Sequence, residues 1–285
     1  MKYRWLYFLI STIVIGMGLF SMIKWGYRYS IDFTGGTDIG YQLSKKATNN
    51  EMEKIFKENN ISVNSLKLQD NQLTVRAKPV DEKTELLVRN ALEKKLDLKI
   101  KLLRFETVGP VIGQETMTKT LVAAFLGVLA ILIYITVAFK GFYYALAAIL
   151  ATLHDFLVVM GTYSLISHFF GAELDTMFVT AVLTSMSFST HDTIVIFDKI
   201  REYFRSEGRA EIDYFANKAL TETMVRSVNN SMTIVFMLLS LILLGGSTIR
   251  FFAITLLIGT ITGTYSSPFV ATPLLVWFEK MKKKK

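Results

Sequence analysis

Charge is absent from three long stretches of the chain, Trp5–Ile23, Thr120–Phe139 and Ser227–Ile249. As a helix, each is long enough to cross roughly 30 Å of hydrocarbon. With the apolar runs between them, the pattern predicts six spans, at about 5–25, 119–139, 142–166, 174–197, 227–245 and 249–277. The last is long for a bilayer, so it is expected to tilt or to extend beyond the hydrocarbon, with Pro268 and Pro273 as candidate kinks. Between the first two spans the pattern changes. "TDIGYQL" (37–43) reads as a strand and "NNEMEKIFKENN" (49–60) as a helix capped by Asn49 or Asn50. "ISVNSLKLQD" and "QLTVRAK" alternate like strands joined by a hairpin at "QDNQ". Asp81 is a candidate N-cap for an amphipathic helix over 81–96, and "KIKLLRFETVG" closes as a strand. The order β-α-β-β-α-β is that of a ferredoxin-like α+β unit. The expected architecture is a polytopic α-helical membrane protein with six transmembrane helices and this small domain between helices 1 and 2. Its parts are a first helix over 1–27, the α+β domain over 28–118, a five-helix bundle over 119–278 with a loop at about 198–226, and a basic tail over 279–285.

Composition agrees: 51% of the 285 residues are hydrophobic and 20% are charged. The net charge of +8 does not point to nucleic acid, because the basic residues gather at segment ends and in "MKKKK", without an aromatic-interleaved patch. There is no cysteine, which excludes disulfides and thiolate metal sites. Lys2 and Arg4 precede the first apolar run as in a signal peptide, but the run lacks a small-residue cleavage site and ends in Lys24 and Trp25, so an uncleaved helix is expected. Charge placement also orients the chain. One side holds Lys2, Arg4, Lys140, Lys199, Arg201, Arg205, Arg209, Lys218, Lys280 and Lys282–Lys285; the short loops opposite hold His168, Glu173, Asp175 and Arg250. The positive-inside rule puts both termini in the cytoplasm and residues 28–118 outside.

Four features interrupt the apolar spans: His154–Asp155, His191–Asp192, Arg226 with Asn229, Asn230 and Ser231, and the small residues Gly259, Gly263, Ser266 and Ser267 of the last span. A charge at mid-bilayer costs a few kcal/mol at the low end of contested estimates, about 2.5–3.5, so such groups face protein or water. Asp192 lies about five residues, or roughly 8 Å of helix rise, from the cytoplasmic end of its span. Arg226 enters from the same side and can snorkel or approach Asp192 if the fourth and fifth spans pack together. A carboxylate so placed can bind and release a proton as its burial and its distance from the arginine change. The alternative is a fixed ion pair or polar glue between helices. Adjacent His and Asp point about 100° apart on a helix, so neither doublet is automatically a dyad. Three histidines, one of them in a loop, are too few for a metal phosphohydrolase site, and no metal or other cofactor is expected. "FTGGT" (33–37) lacks the lysine of a phosphate loop and reads as a backbone turn. With no HExxH and no serine triad, an enzyme is not expected. The i,i+4 spacing of Gly259 and Gly263 permits close helix contact.

Four ordered motifs carry a resemblance over nearly the whole chain: "IDFTGG" (31–36, with Asp32, Gly35 and Gly36), "VGPVIGQE" (108–115, with Gly109 and Pro110), "HDTIVIFDKIRE" (191–202) and "GTYSSPFVATPLL" (263–275). The chain resembles the SecD/SecF family of bacterial export proteins, of resistance-nodulation-division type, and within it the smaller SecF partner. The resemblance implies a subunit of the cytoplasmic membrane that pairs with SecD and associates with the SecYEG channel, often with YajC. After SecA has started translocation, the complex draws the unfolded polypeptide outward using the proton-motive force. By position, Asp192 and Arg226 match the family residues implicated in proton flow, and Asp155 matches a recurrent His-Asp of the third span. His191 departs from the family's usual Asn and is a further titratable candidate beside the path. Two other readings stay open: a passive assembly or scaffold subunit of the translocon, and a small-molecule efflux half-transporter. The single outside domain of about 90 residues argues against the second.

Overall fold

The first element, α1 (Arg4–Lys24), buries only Ser11, Gly18 and Ser21, while Trp5, Leu9, Ile13, Met17, Phe20 and Ile23 are exposed. This is the reverse of an amphipathic helix in water, where the apolar stripe turns inward. It is the arrangement of a helix that packs through small residues and leaves its apolar side chains to lipid. The computed structural model describes residues 4–45, 48–69, 71–139, 141–208 and 211–283. Lys2, Lys140, Arg209, Lys284 and Lys285 of the charge asymmetry, and Asp70 of the hairpin turn, lie outside the described residues.

The chain divides into two units, one of which is Tyr29–Leu121. In it, β1 (Gly36–Leu43) is followed by α2 (Asn49–Glu58), β2 (Val63–Gln69), β3 (Gln72–Ala77), α3 (Glu82–Leu96) and β4 (Ile100–Val108). The strands order as β2-β3-β1-β4, and every neighbouring pair is antiparallel. Ile39 pairs with Val75 and Tyr41 with Leu73. The period of two therefore sends Ile39, Tyr41, Leu43, Leu73 and Val75 into one core, which Met52, Ile55 and Phe56 of α2 and Val88 and Leu92 of α3 complete. The Asp81 carboxylate caps α3 by accepting from the Thr84 N–H at 3.0 Å. Helix α2 differs from expectation. Thr48, one residue before the anticipated asparagines, is its N-cap and makes no side-chain capping bond.

The second unit holds α1 and, beyond residue 121, mostly helical chain: α4 (Pro110–Ala138, which begins in the first unit), α5 (Phe142–Phe170), α6 (Thr176–Ser206), α7 (Ile212–Leu244), α8 (Ser247–Ser266), a π-helical turn Ser267–Ala271 and α9 (Thr272–Lys283), with a two-residue strand at Glu173–Leu174. Among the described residues, five segments are long and apolar enough to cross a membrane: Arg4–Lys24, Pro110–Ala138, Phe142–Phe170, Ile212–Leu244 and Thr248–Lys282. The expected fourth span, in α6, does not join them. It is 31 residues long, but Ser185, Ser189, Thr190, Asp192 and Thr193 dilute its apolar character. The loop expected at about 198–226 is also mostly helix. Ile200 and Tyr203 of α6 and Ile212, Phe215, Ala216 and Ala219 of α7 fall in one buried cluster, so α6 continues to Ser206 and α7 starts at Ile212. At Pro268 the missing N–H loosens the ladder into the π turn rather than ending the helix.

Candidate functional site

Close backbone approach builds the site. A Cβ added to Gly161 of α5 would lie 2.5 Å from the Gly18 Cα of α1, so these helices touch backbone to backbone. One added to Gly263 of α8 would lie 2.7 Å from the Ser189 Cβ of α6, and Gly259 meets Ser185 one turn earlier in the same way. The two glycines marked by their spacing thus seat α8 against α6. Around the contact, hydroxyls replace apolar side chains in the interior.

At its centre is Asp155, 3% exposed. Its Oδ1 lies 2.8 Å from His154 Nδ1, and its Oδ2 accepts from Ser266 Oγ at 2.7 Å and from Ser189 Oγ. Three helices therefore converge on one carboxylate. His154, also buried, reaches Ser11 Oγ of α1 through Nε2 at 2.9 Å. Ser11 lies 3.4 Å from Tyr265 Oη, which donates to the Tyr7 carbonyl at 3.0 Å. The 100° between adjacent positions does not keep this doublet apart, because both side chains turn toward the gap between them.

The second doublet behaves as the angle predicts. Asp192 is buried and accepts from Ser227 Oγ of α7 at 2.5 Å. His191 is exposed and lines a 230 Å³ cleft with Ile131, Tyr134, Ser187, Thr190 and Ile194. Helices α6 and α7 do pack, but it is Ser227 that faces Asp192. Arg226, one position around α7, is exposed and makes no ion pair among the described residues. Asn229 and Asn230 are exposed as well, whereas Ser231 is buried against Thr264 at 2.6 Å. Ser267, at the start of the π turn, bonds Thr193 at 2.9 Å.

The remaining motif residues are backbone devices in the other unit. Asp32 sits in the short helical turn Ile31–Thr34, its N–H donating to Ser30 Oγ at 3.2 Å. Gly35 has φ +69°, and a Cβ there would lie 2.7 Å from the Pro110 Cα; Gly113 approaches the Gly35 N equally closely. Gly36 (φ +128°), Gly109 and Pro110 complete this crossing of two backbone segments. No group of three or more His, Asp or Glu side chains able to hold a metal gathers among the described residues.

Sequence reasoning did not single out Ser11, Ser189, Ser227 or Tyr265, and it gave His154 no role. Their signal is the recurrence of small and hydroxyl residues at helical spacing, Ser185 with Ser189 and Gly259 with Gly263 and Ser266, which is shared by any tightly packed membrane bundle.

Apolar helices that bury serine and carboxylate and expose leucine define a multi-pass membrane protein with a polar interior. The family model described as protein export membrane protein SecD/SecF, C-terminal, matches residues 88–281. The protein translocase subunit SecF of Anaerolinea thermophila is 37% identical over 284 residues, covering 97% of this chain and 92% of that one. That of Thermobaculum terrenum is 39% identical, covering 98% and 93%. The crystal structure of SecDF from Thermus, a translocon-associated membrane protein, superposes with a TM-score of 0.84 at 28% identity. That match covers 98% of this chain but 38% of the SecDF chain. The chain belongs to the SecF family of protein translocase subunits.

Proposed function

We propose that this chain is the SecF half of a SecD–SecF complex that uses the proton-motive force to assist Sec-dependent export across the bacterial cytoplasmic membrane. Beside family membership, one observation carries the reading: Asp192 is buried among helices of apolar exterior, held by a serine hydroxyl and without an ion pair among the described residues. A fixed charge there is expensive, whereas a carboxyl that gains and loses a proton is not. Arg226, Asn229 and Asn230 are polar groups exposed on an apolar helix, a surface for SecD to cover with its own carboxylates. Asp155 and His191 are further members of the pathway. Helix α6 is the sixth span, its polar side chains supported because they are buried. The unit Tyr29–Leu121 is ferredoxin-like by strand order and extracytoplasmic by charge asymmetry, with both termini cytoplasmic. Its partners are SecD, SecYEG, YajC, the emerging polypeptide and, transiently, SecA. One charge crossing 100 mV supplies about 2.3 kcal/mol, so several protons can drive a change in helix packing.

The test is export of a secretory precursor into vesicles holding SecYEG, SecD and this chain, with SecA and ATP supplied equally. Asp192→Asn is expected to abolish the gradient-dependent part of late translocation while copurifying with SecD. A full response to the gradient in that variant overturns the reading. A scaffold role is the second reading, favoured by hydroxyl contacts that link helices pairwise, such as Ser231 to Thr264 and Thr193 to Ser267.

A further inference from the structure

The polar chain around His154 is more ordered than helix glue requires. Its hydrogens follow from donor and acceptor chemistry. Tyr265 Oη donates to the Tyr7 carbonyl, so its own oxygen is left to accept, and Ser11 is the donor to it. Ser11 Oγ then accepts from His154 Nε2–H. With Nε2 protonated, the 2.8 Å contact between Nδ1 and Asp155 Oδ1 is a hydrogen bond only if one more proton lies between them, on the ring or on the carboxyl. Ser189 and Ser266 both donate to the other carboxylate oxygen, so neither supplies it.

We propose that His154 and Asp155 are a second proton-carrying pair, whose occupancy sets the hydrogen-bonded link between α1 and α8. The use of such a pair rests on the proton-coupled reading above. When the pair gives up its proton, Nε2 passes a hydrogen to Ser11, Ser11 passes its own to Tyr265, and Tyr265 releases one to water. One proton leaves the pair and one leaves the chain; only O–H and N–H bonds are exchanged. The product has Nδ1–H donating to the carboxylate, Ser11 donating to Nε2 and Tyr265 donating to Ser11. Tyr265 has then turned away from the Tyr7 carbonyl. Releasing the proton and losing the Tyr7 bond, one of the two that tie α1 to α8, are the same event. Tyr7 is half-buried and one turn from Arg4, which places the exit near the charged end of α1. The titratable groups facing the pair are Tyr265 from α8 and, beyond it, Tyr7 from α1. Helix α6 brings the Ser189 hydroxyl, its nearest carboxylate being Asp192, bonded to Ser227. From the π turn comes the Phe269 ring, tilted against Tyr7 with 4.5 Å between ring centroids.

The test uses the full chain with SecD in lipid vesicles. The chain has three histidines, so ¹⁵N-histidine labelling with His168→Gln and His191→Asn isolates the His154 ring. Across a pH titration that ring is expected to change its protonation, together with a carboxyl infrared band that Asp155→Asn removes. The chain has no cysteine, so spin labels at Leu6→Cys and Ile261→Cys, both exposed, report the α1–α8 distance. The ratio of its two populations is expected to change at least about fivefold with pH, the low end of a typical coupling between sites. Asp155→Asn and His154→Gln should abolish that response, and Tyr265→Phe should abolish it while leaving the His154 titration in place. A His154 ring with one protonation state throughout, or a distance response unchanged by all three variants, overturns the proposal. If His154 is inert while Asp192→Asn erases gradient-driven export, the pair falls and the motor reading stands. If the pair titrates while Asp192→Asn exports normally, the pair stands and the motor role of Asp192 falls.

Discussion

The two units are built on opposite rules. In Tyr29–Leu121 the interior is Ile39, Met52, Phe56, Leu73, Val75, Val88 and Leu92, with the charged residues of α2 and α3 mostly outside. In the helical unit, α1 buries two serines and a glycine, and α4 exposes Val122, Phe125, Leu126, Ile133 and Val137. Water drives the first arrangement by expelling apolar surface. Lipid is as apolar as leucine and gives no such drive, so close backbone packing and hydrogen bonds must hold the second. The same residue type therefore carries different weight in each unit.

Phenylalanine gives the largest expected contrast. Phe56→Ala empties a fully buried site between α2 and the sheet and is expected to cost about 3–5 kcal/mol. Phe125→Ala, on the exposed face of α4, should stay within about 0.5 kcal/mol. Hydrogen exchange of the β1 and α4 amides in each variant measures both. A comparable loss at Phe125 would mean that a partner or another helix covers that face.

The rule that a unit obeys decides how legible it is. Strands and helices of the small domain follow from alternation and from caps such as Asp81, because burial there is apolar and repeats with the element's period. The membrane helices announce their existence by length alone. Which of their polar residues meet is set by glycine contacts between helices far apart in sequence, Gly18 with Gly161 and Gly263 with Ser189, and no local period encodes such pairs. Hence Asp155 and Asp192 stood out as costly groups, while Ser11, Ser227 and Tyr265, ordinary in any membrane segment, did not. The polar face of α6 both lowers its apolarity below that of its neighbours and marks it as part of the site.

Backbone contact should carry the next largest effect. Gly161→Ala pushes a methyl group into the Gly18 backbone and is expected to cost about 1–3 kcal/mol, as overpacking does. Gly16→Ala has open space and should be neutral or stabilising by up to about 1 kcal/mol through helix propensity. Detergent unfolding of the two variants separates packing from propensity. Equal effects would show that α1 is not held by close approach.

Tyr41 sharpens the comparison through pH. Burial, and next the neighbouring Glu85 carboxylate to which its hydroxyl donates at 2.9 Å, hold its phenol well above the ordinary value near 10. The folded domain keeps the proton where the unfolded chain loses it. That contribution to stability is therefore complete below about pH 10 and fades as pH rises above it. Melting of the β-sheet unit should fall as pH rises above about 10, the ordinary value of the free phenol. Tyr41→Phe should flatten this fall, and an unchanged slope would assign it to other groups.

The smallest effects belong to single hydroxyls between helices. Ser164 donates its one hydrogen to the Gly26 carbonyl at 2.9 Å, so in the 2.8 Å contact with Ser21 the donor is Ser21. Ser21→Ala removes one bond and leaves Ser164 satisfied by Gly26; its cost should be near the average of about 0.6 kcal/mol for interhelical bonds in membranes. Ser164→Ala removes both bonds and strands the Gly26 carbonyl, so it should cost more. A double-mutant cycle on detergent-solubilised protein isolates the shared term. If Ser21→Ala alone costs as much as Gly161→Ala, hydroxyl pairing and not backbone contact holds α1 to α5, and the polar interior would be structural along its whole length. If the order runs as expected, the serines are weak fasteners. Weak fasteners suit the proposed shift of helices when a carboxyl changes its proton.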